Sequence, residues 1–435
     1  MKQKTASATV IAIITVLAIA AITTALFLYP YEPDQPPVAD DVDSTASGIQ
    51  EVVDANNEFA FELYSELDKS ENGNVFYSPY SISAALAMTY EGAKGQTADE
   101  MKSVFHFPES NILRSNFAAI YNNLNKGDKE YELRTGNALW AQYDYEFLED
   151  YINRVEQYYG GKAANLDFVR ETEKSRKTIN DFIEKQTNNK IKDLLSPGSV
   201  NALTRLVLTN AIYFKGTWEW EFDKSDTQDR DFKISENNVV QVPMMHMDPD
   251  KVMFNYAELD KLQILELPYK GDDVSMLVLL PKQGTSYDHE TGERISYDYV
   301  LDDIELSAEK LNEYKSEMQE TKLDSIYLPK FEFDTKYSMK ETLSSLGMPT
   351  AFIPDNADFS GIDGTKNLVI DQVIHQAYVK VDEKGAEAAA ATAVIMGVTS
   401  VGPMNVFSAD HPFIFIIQEK ETGNILFMGR VVDPR

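Results

Sequence analysis

From about Gln50 the chain alternates apolar and polar positions with two distinct periods. Val52, Val53, Phe59, Leu63 and Leu67 recur at helical spacing and predict an amphipathic helix. SPYSISAALAMTYEG predicts a second helix, with Ser78 as N-cap, Pro79 at the first helical position and Gly92 as the stop. Thr97-Ala-Asp-Glu100 has the form of a capping box, and Glu173 to Leu195 reads as a longer surface helix. Strand-like runs then dominate: 203–214, 262–269, 274–281, 325–333 and 368–382. The end, 411–434, reads as a hairpin turning near Thr422-Gly423-Asn424. Helices come early, antiparallel strands come late, and no βαβ rhythm appears, so the expected class is α+β.

The N-terminus has a different pattern. Lys2 and Lys4 precede an uncharged stretch of 19 residues, Val10 to Leu28. That length just spans a bilayer. Residues 1–29 read as an uncleaved membrane anchor, with a cleaved secretory signal as the second reading; the lysines put the remainder outside the cytoplasm. Residues 30–49 hold four prolines and five acids, the composition of a solvated linker. No Pro/Gly-rich break divides 50–435, so this part reads as one domain although its length suggests more.

Forty Lys+Arg against seventy Asp+Glu give a net charge of −30. Nucleic-acid binding needs a basic face and is therefore not expected. With no cysteine, disulfides, thiolate metal sites and thiol nucleophiles are excluded. The five histidines show no i, i+3 or i, i+4 pair, so no local metal site is expected. No G-x-S-x-G elbow, phosphate-binding loop or H-E-x-x-H occurs, and neither enzymatic catalysis nor a cofactor is expected.

One segment fits no element. EKGAEAAAATAVIM, 383–396, is too alanine-rich for an ordinary strand, yet Gly385 and the β-branched, glycine-containing AVIMGVTSVGPMNVF fit a helix poorly. About thirty residues thus connect two strands without a clear element, which in a compact domain points to function. Read as a strand, Ala386, Ala388, Ala390, Thr392, Val394 and Met396 share one face, and Glu387 lies on the other. A loop with the sequence of a strand implies an exposed and an inserted state.

These features together resemble the serpins. NVFYSPYSISAALAMTYEGAKGQTADEM (74–101), LTNAIYFKGTWEWEF (208–222), PKFEFDTKYSMKETLSSLGM (329–348) and HPFIFIIQEKETGNILFMGRVVDP (411–434) follow the family's order. EKGAEAAAATA is similar to its reactive-loop hinge. The resemblance implies a large, mostly antiparallel central sheet with smaller sheets, about eight to nine helices and an exposed reactive loop. It also implies suicide inhibition: a serine protease cuts the loop, stays bound as a covalent 1:1 acyl complex, and is trapped when the loop inserts as a new strand. A monomer is expected. Carried over by motif, Glu383, Gly385, Ala386, Glu387, Ala388, Ala389, Ala390, Ala391 and Thr392 form the hinge. Ser78, Ser81, Asn210 and His375 form a polar cluster under the opening of the sheet, with Trp218 near the insertion point.

Counting fourteen residues beyond Gly385, as the family does, puts the scissile bond between Thr399 and Ser400, with neighbouring bonds in 397–402 as runners-up. No basic or large aromatic residue lies there, which suits an elastase-like or subtilisin-like protease. The strand reading makes Ala386 the first side chain that must enter the buried face, and so the gate to insertion. A non-inhibitory serpin acting as chaperone, carrier or binding module is the alternative.

Overall fold

The computed structural model describes residues 38–249, 252–287, 294–386 and 405–435. Helix α1 (Ala46–Ser70) starts at Thr45, whose hydroxyl accepts the Gly48 amide, and buries Val52, Val53, Phe59, Leu63 and Leu67 as their spacing predicts. Helix α2 (Pro79–Tyr90) is capped by the Ser78 hydroxyl. Its side chains are buried on every face except at Tyr90, which makes it a core helix.

The 30–49 linker needs correction at its C-terminal end. Packing begins at Ala39, which is buried against Ala118 and Tyr121. Asn122 accepts the Ala39 amide at 2.9 Å, and Asn116 accepts the Thr45 amide at 2.8 Å. Acidic composition does not register bonds supplied by two distant asparagines. Thr97 and Glu100 do not form a capping box either. The helix runs Gly95–Val104, the Thr97 hydroxyl accepts the Asp358 amide, and the Glu100 carboxylate binds Thr350. The expected long helix ends early, at Thr172–Gln186, because Asn188 and Asn189 turn the chain at positive φ. Ile191, Leu194 and Leu195 then fold under it into the core.

The main sheet is built from β1 (Tyr131–Thr135), β2 (Ala138–Gln142), β3 (Lys162–Leu166), β4 (Leu206–Thr217), β5 (Phe331–Ser338) and β6 (Gln372–Asp382). Its order is β5, β6, β4, β2, β3, with β1 pairing the upper part of β4. The pairs β5–β6, β1–β4 and β2–β4 are antiparallel, while β6–β4 and β2–β3 are parallel. The run 325–333 is two strands, since Ser325–Pro329 joins a small four-stranded sheet and β5 begins after Lys330.

A second large sheet is antiparallel throughout and carries the C-terminal hairpin Phe413–Glu419 and Ile425–Val431. Aromatic side chains fill the space between the two large sheets. Phe76 stacks on Phe415 at 5.5 Å and on Phe427 at 5.2 Å, and meets Phe333 of β5 edge-on. Each fully buried ring of this kind contributes about 1.5–3 kcal/mol. Nine α-helices stand among the described residues, and the fold is α+β, as expected.

Candidate functional site: the seam between β4 and β6

The two middle strands of the main sheet, β4 and β6, pair in parallel from Val207–Gln372 to Tyr213–Tyr378 and then part. Above the split the chain leaving β6 reverses at Glu383-Lys384 and enters the gap. Gly385–Ala386 pairs antiparallel with Asp382–Val381 on one side and with Thr217–Gly216 on the other. Gly385 is required here: its φ is +137°, and a Cβ would meet Gly216 O at 2.1 Å. Ala386 is 2% exposed and belongs to the main core. The expectation that Ala386 is still to enter the buried face is therefore corrected, because it is already seated.

The reversal is fastened on three sides. Trp218 donates its amide to Lys384 O at 2.7 Å and its indole Nε1–H to Asp382 O at 3.1 Å, and its ring stacks on Tyr269 at 4.5 Å. The Phe222 amide donates to Glu383 O. The buried Glu383 carboxylate accepts from Lys330 Nζ at 2.8 and 2.9 Å and from the Thr227 hydroxyl at 2.9 Å. Burial pushes the Glu383 pKa up, but the Lys330 and Thr227 bonds outweigh it and hold the pKa below its usual value.

Lower in the seam lies the polar cluster. His375 on β6 and Asn210 on β4 are register partners, and His375 Nδ1 is hydrogen-bonded to Asn210 Oδ1 across the seam. Nε2 accepts the Ser78 amide at 3.1 Å. With Nε2 an acceptor, the ring is neutral and its proton sits on Nδ1. Full burial lowers its pKa to about 3. Asn210 Nδ2 lies 2.6 Å from Ser81 O, Ser81 Oγ and Asn137 Oδ1. The Ser81 hydroxyl donates to Asn137 Oδ1, and the Ser78 hydroxyl to Leu426 O. All four residues of the cluster thus converge, whereas Trp218, just past the end of β4, stands apart from them at the hinge turn. Asn137 was missed. It lies between two strand-like pieces after Gly136 and reads as an ordinary turn residue, so no sequence signal singles it out.

Glu387, Ala388, Ala389, Ala390, Ala391 and Thr392 of the hinge, and the bond Thr399–Ser400, lie outside the described residues, as does the expected anchor at 10–28. No described helix is long and apolar enough to cross a membrane. Among the described residues no group of three or more His, Asp or Glu is placed to hold a metal ion. A small cavity lined by Val52, Asn56, Tyr80 and Phe117 among others has a volume of about 10 Å³, at most room for a single water.

The family model for serpins (serine protease inhibitors) matches residues 54–434. An uncharacterized serpin-like protein of Methanosarcina mazei is 41% identical over 392 residues, 88% of each chain. Leukocyte elastase inhibitor A of Rattus norvegicus is 38% identical, covering 89% of this chain and all of its own. The crystal structure of human thyroxine-binding globulin superposes with a TM-score of 0.76 at 29% identity, covering 89% of this chain and 99% of that one. The chain belongs to the serpin family, whose fold it shares and whose members include an elastase inhibitor and a thyroxine-binding globulin.

Proposed function

We propose that this protein is a suicide inhibitor of serine proteases. Its loop is cut as a substrate and forms an acyl ester. It then enters the seam as a new strand before the ester is hydrolysed. One observation carries the reading: the hinge is already started as a strand between β4 and β6, and both neighbours continue in one common register. Gly216 to Val207 is nine positions, and Val381 to Gln372 is also nine. A strand running on from Ala386 would stay in step with both. Small residues follow Ala386 in the sequence, so each successive pair of register positions meets little steric resistance. The inserted strand would replace the one parallel β4–β6 ladder with two antiparallel ones, a net gain of backbone hydrogen bonds, so the intact molecule persists as a kinetic state.

The target we infer is elastase-like or subtilisin-like, attacked at Thr399–Ser400. The small and β-branched residues at 397–402 support this, and the name of the rat relative is consistent with it. We further infer an extracytoplasmic location, anchored through residues 10–28, from the charge-free run after two lysines. Fractionation of native cells tests the anchor: full-length protein in membranes supports it, and a soluble form beginning near residues 25–35 replaces it with a cleaved signal.

Incubation with a panel of serine proteases, read on a denaturing gel, tests the inhibitor reading. The expected result is a denaturant-resistant 1:1 complex and a released peptide that begins at Ser400. Cleavage without complex across the panel would leave the carrier or chaperone reading.

A further inference from the structure

The base of the seam is fastened differently from the rest of it. The last ladder pair is Val207–Gln372, and below it stands Asp371. Its amide donates to Leu206 O at 3.1 Å. Its side chain reaches across to β4, where the single oxygen Oδ2 accepts the amides of both Arg205, at 2.5 Å, and Leu206, at 3.2 Å. Two backbone donors at the start of β4 are thus held by one carboxylate from the opposite side of the seam. Such charge-assisted bonds are stronger than the amide–carbonyl rungs above them.

The common register fixes when these bonds must break. A strand continuing from Ala386 places residue 395 between Val207 and Gln372. Residue 396 then falls between Leu206 and Asp371, and separates the carboxylate from its two amides. Thr399–Ser400 and its neighbours in 397–402 all lie beyond 396, so the cut loop reaches this point whichever of those bonds is broken.

We propose that Asp371 is a positioning residue that latches the base of the seam. It holds β4 against β6 until the last step of insertion, and thereby slows both completion of insertion in the acyl complex and spontaneous conversion of the uncut molecule. The proposal rests on the insertion reading above and adds to it a residue and a stage.

The test compares wild type with Asp371→Ala and Asp371→Asn, the latter keeping a neutral acceptor. Melting is followed for the uncut form and for the form cut in the loop by a subtilisin-type protease. The latch predicts a lower melting temperature for the uncut variants, Ala more than Asn. The cut form should be little changed, because there the inserted strand has already displaced Asp371. A residue that is merely structural would lower both. The uncut Ala variant, which loses both bonds, should also lose inhibitory activity on warm storage at least about tenfold faster, a change equivalent to about 1.4 kcal/mol. Its association rate with protease, set at the loop tip, should stay within about twofold of wild type. Equal loss of stability in both forms, or an unchanged rate of conversion, would overturn the latch. If cutting does not raise the melting temperature of wild type at all, it is the insertion reading that fails. Should the Ala variant not fold, the Asn variant carries the same comparison.

Discussion

At Gly385 the backbone reverses with φ at +137° while Gly216 O stands where a side chain would begin. Gly385→Ala therefore combines backbone strain of about 1–3 kcal/mol with a clash against the sheet's own backbone. The expected outcome is a hinge displaced from the gap and a lower melting temperature, measurable by thermal or urea unfolding. His375 makes a prediction about pH. Its folded pKa of about 3 lies below the ordinary 6.5, because burial disfavours the charged ring. The stability it contributes is fully present above about pH 6.5. Below that, the unfolded chain takes up a proton that the folded one refuses, and stability falls by about 1.4 kcal/mol per pH unit toward pH 3. Urea melts at pH 7.5 and 5.5 should show the slope, and His375→Gln should flatten it. A slope unchanged in the variant would assign the effect to other groups. Ser78, Ser81, Asn210 and His375 were legible only through the resemblance. Nothing in their spacing along the chain announces that they meet, because the contacts join α2, β4 and β6.

Among the elements, the hinge turn depends on a pair of residues that flank two neighbouring strands, β5 and β6. Lys330 sits just before β5, and its Nζ holds the Glu383 carboxylate over the turn. Lys330→Gln leaves a mostly buried carboxylate with Thr227 as its remaining side-chain partner. The expected loss is about 1–3 kcal/mol. A shift in tryptophan emission should accompany it, since Trp218 packs directly over the turn. In wild type this contribution is present above the usual carboxylate range and is lost as the pH falls through the lowered pKa of Glu383. Elements with an uninterrupted pattern were legible: Val274–Pro281 falls where the apolar run 274–281 puts it. Those that failed did so for local reasons. Lys330 divides an apolar run between two sheets, and Asn188-Asn189 stop a helix whose polar pattern continues past them. Thr97 and Glu100 have the right spacing for a cap, but each is drawn to a segment more than two hundred residues away.

For the whole molecule, the seating of Ala386 moves the insertion test along the chain. Ala386→Arg would put a charge into a core position of the uncut protein, so its loss of stability would not report on insertion. Ala388→Arg is the cleaner variant: alternation sets it on the same face as Ala386, one step further in. It should turn the inhibitor toward a substrate, raising the moles consumed per mole of protease silenced. Glu387→Arg, on the opposite face, should be much milder. Equal stoichiometry for the two variants would count against strand insertion as the cause of inhibition.

The pinned hinge also gives the loop a reading frame. On the proposed insertion reading, with Ala386 fixed, each later residue that enters the seam would face the core or solvent by counting in twos from that point. Adding one residue between Glu387 and Met396 puts the rest of the loop out of frame, so that Glu387's face and the alanine face exchange downstream of the insertion. Adding two restores the frame and shifts only how much chain remains when the lane is full. If the loop inserts as proposed, its length is constrained first by whether it is odd or even, and only afterwards by how long it is.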